Sequence, residues 1–129
     1  MDIRSINVGY QDIANALICE LPELSKIRDV RIICLSSTHS PKKGDKIVYG
    51  QCEKISDKYK WGIPCDFTIT VFEPNVIGFS EEQIKILILH ELLHVGVDGD
   101  KLFVRQHDLE DFKLVIDKYG TNWADVGGM

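Results

Sequence analysis

Two histidines four residues apart, with a glutamate directly after the first, stand in the segment His90-Glu91-Leu92-Leu93-His94. On an α-helix, residues four apart differ by about 40° around the axis, so both imidazoles leave one face a turn apart and can hold one metal ion. Glu91 falls about 60° beyond His94, where its carboxylate reaches a metal-bound water without displacing either ligand. Zinc suits two imidazoles plus a further nitrogen or oxygen, and a vacant fourth position lets it bind water and lower the pKa of that water to about 7. Glu91 would then take the proton as the water attacks a carbonyl, and pass it to the leaving amine. The alternative is that the three residues share a core helix by chance. Burial argues against this, because an unpaired buried polar group costs roughly 2–7 kcal/mol.

The elements around the motif must place it. Ser80-Glu81-Glu82-Gln83 fits a capping box, which starts a helix there. Across residues 84–97 that helix is apolar on nearly every side, with Ile84, Ile86, Leu87, Ile88, Leu89, Leu92, Leu93 and Val95, so it is predicted to be central and buried. A first amphipathic helix is expected over residues 11–21, with Pro22 as its break and a further turn through Ile27. Three strands are expected: residues 30–35, rich in β-branched side chains, residues 46–55, and residues 66–72, where Phe67, Ile69 and Val71 alternate with threonines. A last helix is expected over residues 108–119, with Gly120 just past its end. The prediction is a single α+β domain over residues 1–129: a sheet of three strands or slightly more, antiparallel or mixed, on the buried motif helix, with helices at both termini. Residues 124–129 form a frayed tail.

Composition narrows the class. With 44% hydrophobic and 27% charged residues, the chain reads as a globular domain able to bury its own core. Its net charge of −5, with scattered Lys and Arg, speaks against nucleic acid as a partner. No apolar run approaches a membrane span, and the N-terminus lacks a leader pattern, so a cytoplasmic protein is expected, taken as a monomer. Cys19, Cys34, Cys52 and Cys65 form no CxxC pair and read as free, mostly buried thiols.

A catalytic zinc site needs a third protein ligand. Asp100 is nearest, but Asp98-Gly99 is a natural tight turn, so acids there read as turn formers. A chain that reverses after Val97 and returns through Leu102-Phe103-Val104 could bring His107 over the His90/His94 face, which makes His107 the preferred ligand. Asp111 could then orient its ring. Glu110 is the alternative ligand, and Asp108 reads as a helix cap.

With these residues in place, the chain resembles the putative phage metallopeptidase family. The resemblance rests on Tyr49-Gly50-Gln51-Cys52, Lys58-Tyr59-Lys60-Trp61, Asp66-Phe67, Phe72-Glu73-Pro74-Asn75-Val76, residues 83–96, His107-Asp108-Leu109-Glu110-Asp111-Phe112 and Tyr119-Gly120. It spans about residues 32–123, and the first helix contributes little to it. It implies a zincin-like fold, phage or prophage origin, His90 and His94 as ligands, Glu91 as base and His107 as third ligand. Zn2+ is then the cofactor and a protein or peptide the substrate. In zincin-like folds an edge strand holds substrate by strand addition. The strand at residues 66–72 fits that role, or equally that of an ordinary half-buried strand. Tyr49, Tyr59, Arg105 or Tyr119 could assist at the oxyanion. Two other readings stand beside the peptidase: a zinc hydrolase of another amide such as a cell-wall peptide, and a non-catalytic zinc-stabilised protein that binds a host target.

Overall fold

The computed structural model describes residues 2–105. The predicted last helix, with His107, Glu110, Asp111 and Tyr119, lies outside the described residues, as does the tail.

The chain opens with β1 (Arg4–Ile6), followed at once by α1 (Val8–Glu20). Asn7 caps this helix, its side-chain oxygen accepting the Tyr10 N–H at 2.9 Å. Pro22, with no N–H to continue the ladder, turns the chain into a 3-10 segment, Pro22–Ile27, as its position predicts. Then come β2 (Ile32–Ser37), the short β3 (Lys42–Lys43) and β4 (Lys46–Ile47), and β5 (Gly50–Lys54). After a 3-10 turn at Asp57–Tyr59 the chain forms β6 (Phe67–Phe72), a further 3-10 turn at Glu73–Asn75, and α2 (Glu81–Leu92). The hairpin of β7 (Val95–Asp98) and β8 (Lys101–Val104) closes the described part.

The architecture is α+β. Four strands form one mixed sheet in the order β1-β2-β6-β5, with β2 and β6 parallel and the outer pairings antiparallel. Helix α1 lies against α2 and β2, while α2 lies against β5 and β6. Between these layers Phe67, Ile69, Val71, Ile88, Leu89 and Leu92 are fully buried, each worth about 1.5–3 kcal/mol of transfer free energy. Gln11 ties helix to sheet: its Oε1 accepts the Cys34 N–H and its Nε2 donates to the Ile32 carbonyl, both at 3.0 Å. On the opposite sheet face, the Arg4 guanidinium lies over the Phe72 ring and reaches Thr70 and Glu53 at 3.3 and 3.2 Å. All four cysteines are free; Cys34 and Cys65 are buried, Cys52 is half-buried and Cys19 is exposed.

Three expectations need correction. The strand expected at residues 46–55 is divided: β4 pairs only with β3, and β5 alone joins the sheet. Strand β6 is not an edge. It lies between β2 and β5 with Thr70 wholly buried, and β5 is the outermost strand on that side among the described residues. The motif helix ends at Leu92 instead of reaching residue 97, because Val95 and Val97 are β-branched, flank Gly96 and lead into a tight turn. The reversal after Val97 is present. Gly99 has φ +61° and is the first of two loop residues, the pattern of a type II′ hairpin. No helix among the described residues is long and apolar enough to cross a membrane.

Candidate metal centre

The N-terminal end of α2 is fixed by its own capping box. Ser80 accepts the Gln83 N–H at 3.2 Å, and Gln83 accepts the Ser80 N–H at 2.9 Å, with Gln83 itself buried. Three turns later His90 and Glu91 lie in the last helical turn, and His94 lies just beyond it. The His94 N–H still reaches back to the Glu91 carbonyl at 3.1 Å, a tightened last turn. The two imidazoles therefore remain neighbours, with ring centroids 5.2 Å apart and planes inclined at 67°.

The hairpin then holds the second ring. Its two-residue turn makes Asp98↔Lys101 a hydrogen-bonded pair, and strict alternation gives His94 and Arg105 the same status four residues back. Arg105 N–H does donate to the His94 carbonyl, at 2.6 Å. The reciprocal donor would be the His94 N–H, which the helix has already taken. In its place His94 Nδ1 lies 2.6 Å from the Arg105 carbonyl. A carbonyl only accepts, so Nδ1 carries a proton, and the ring in its neutral form then has its lone pair on Nε2, the form a metal ligand requires. Phe103 stacks over Gly96 across the hairpin; a Cβ at Gly96 would lie 2.4 Å from the ring.

Glu91 is the buried carboxylate of the motif, 5% exposed. It lies under β5: a Cβ built on Gly50 would be 3.3 Å from Glu91 Oε2, 3.3 Å from Leu87 Cδ1 and 3.2 Å from the Thr70 carbonyl oxygen. Cys52, two residues along the same strand face, senses the same charge. Burial first, then the carboxylates of Glu91 and Glu53, push its thiol up to about 12, so it is an inert thiol at neutral pH. Phe72 N–H donates to the Tyr49 carbonyl at 2.9 Å, which makes Gly50↔Val71 a pair whose own amides turn away from each other. Gly50, Cys52 and Lys54 accordingly present N–H and C=O to the outer side of β5. Strand β8 approaches β5 at its Lys54 end, and Glu91 is at the Gly50 end.

The match to known families covers residues 5–128 and is to the family described as putative phage metallopeptidase. The chain belongs to this family. Its match takes in α1, so it extends further toward the N-terminus than the blocks that carry the sequence resemblance. No curated protein and no solved structure matches the chain.

A metallopeptidase family implies a metal cofactor, and the donor chemistry fits one: two adjacent imidazoles, one with its tautomer set by a carbonyl. Among the described residues no third His, Cys, Asp or Glu joins them in a group able to hold a metal ion. Asp100 is exposed in the turn at the far tip of the hairpin, at the opposite end from His94. His107 and Glu110 lie outside the described residues. Of the suggested oxyanion helpers, Tyr49 packs on Phe79 with ring centroids 4.9 Å apart, and Tyr59 is half exposed beneath Lys58.

Sequence reasoning missed Gly50 and the Arg105 carbonyl. A glycine inside a strand can mark a close approach, and that signal was there to be read. The carbonyl left none, since every residue carries one.

Proposed function

We propose that this protein is a zinc-dependent peptidase in which His90, His94 and His107 hold the metal and Glu91 is the general base. The observation that carries the reading is the corner at the end of α2. Two imidazoles lie side by side there, one oriented through Nδ1, with a buried carboxylate on the neighbouring side in a member of a metallopeptidase family. Zinc, when bound, supplies a Lewis acid that polarises the carbonyl and acidifies water. Glu91 accepts the proton of the attacking water and returns it to the departing amine. His94 is kept by the Arg105 carbonyl in the tautomer that offers Nε2. The outward amides of Gly50 and Cys52, away from the end that β8 approaches, suit an extended peptide added along β5 as a further strand, which puts its backbone beside Glu91. The substrates are proteins or peptides in the cytoplasm of a bacterial host.

The test is cleavage mapping on host lysate with the zinc-loaded wild type and Glu91→Gln, alongside elemental analysis. The amide variant is expected to keep about one zinc per chain and lose hydrolysis by roughly 10²-fold or more. Equal cleavage by both proteins would remove Glu91 as base; no cleavage by the zinc-loaded wild type would remove the peptidase reading.

A further inference from the structure

Among the strands of the sheet, β5 alone meets the motif helix at a residue with no side chain. The Cβ position of Gly50 is crowded by three atoms of different freedom. The Thr70 carbonyl belongs to the β5–β6 ladder, and Leu87 is buried in the core, so neither can yield without disturbing the sheet or the packing. The Glu91 carboxylate, at the end of three rotatable bonds, is the group that would move. Gly50 has no positive φ, so its backbone does not itself require glycine. The absence of a side chain there is explained by what lies beneath it.

We propose that Gly50 is a positioning residue for Glu91: by leaving its side-chain space empty it lets the carboxylate rise against β5, at the strand residue whose outward amides would pair with substrate. This rests on the reading of Glu91 as base. One residue then sets both the register of the bound backbone and the height of the proton acceptor. A methyl group at that position would push the carboxylate off its place while leaving the outward amides, and hence substrate pairing, intact.

The test is a double-mutant cycle on the zinc-loaded full chain, with Gly50→Ala made in the wild type and in Glu91→Ala. Thermal unfolding is expected to show Gly50→Ala lowering Tm by about 3–5 °C in the wild type. Once the carboxylate is gone, the same change is expected to lower Tm by less than half as much, what is left being the tight contacts with the Thr70 carbonyl and Leu87 that both backgrounds share. Folding only in the Glu91→Ala background counts as coupling too. Equal effects in the two backgrounds, whether destabilising, neutral or failure to fold, overturn the proposal. With fluorescein-labelled casein as probe, kcat per folded zinc-loaded molecule should fall about tenfold with KM within about twofold. A purely structural role would leave that kcat unchanged. If Glu91→Gln cleaves casein like the wild type, or nothing cleaves it, the assignment of the base fails, and the stability cycle alone decides whether Gly50 sets the position of Glu91.

Discussion

The two ends of α2 are built by opposite means. At its start, Ser80 and Gln83 satisfy each other's backbone N–H groups across three residues, so the starting point is marked by neighbours alone. Its finish is set by the residues that follow. The helix gives way because the following residues prefer a strand, and the last residue of the motif is secured by the Arg105 carbonyl, eleven residues on. The helical start is self-contained and cheap to specify. The other end depends on a hairpin that must itself be correct, and an error there reaches the His94 ring directly.

The comparison predicts a gradient of effects. The largest belongs to the functional end: His94→Ala should weaken zinc binding roughly a hundredfold or more, since loss of a ligand exceeds the 10–100-fold typical for loss of an outer partner. It should also abolish the difference in Tm between chelator-treated and zinc-loaded protein. Competition with a chromogenic chelator and thermal unfolding check both, and undiminished affinity would show that His94 is no ligand. A smaller effect tests the hairpin. Gly96→Ala places a methyl group where the Phe103 ring lies. It should cost about 1–3 kcal/mol as the ring is displaced, and weaken zinc binding roughly tenfold through the lost grip on His94. If stability falls but affinity does not, the hairpin and the His94 ring are uncoupled. The smallest effect is at the self-contained end, where Ser80→Ala should cost about 1 kcal/mol and leave zinc affinity within about twofold. A change in affinity comparable to that of Gly96→Ala would erase the contrast between the two ends.

The same contrast explains what could be read from the sequence. The capping box, the break at Pro22, the strand cores around Ile32–Cys34 and Phe67–Val71, and the reversal at Asp98-Gly99 are all written in neighbours a few residues apart. They stand as expected. The helix end was misplaced because Leu92, Leu93, Val95 and Val97 satisfy a buried helix as well as a helix followed by a strand. Only the alternation of Val95 and Val97 about Gly96 favours the second. The interior position of β6 was illegible for a different reason. Its threonines look like half-exposed residues, yet Thr70 is buried, partly under Arg4 from the other end of the sheet. At the candidate site, His90, Glu91 and His94 were readable from type and spacing. Their surroundings were not, because Gly50 and the Arg105 carbonyl act through proximity that only the fold creates.

The parallel pairing at the centre of the sheet bears on how the chain reaches this state. Every register pair of β2 with β6, from Ile32↔Phe67 to Ser37↔Phe72, joins residues 35 apart, so no hairpin can zip the sheet from one end. Closing a loop of that length carries an entropic penalty of about 3 kcal/mol before any contact rewards it. Gly50 and Glu91 are separated by a still longer stretch and meet through a contact of the same long-range kind. The corner that would carry the chemistry is therefore assembled from distant parts of the chain, and contacts of that kind are slow to form in folding.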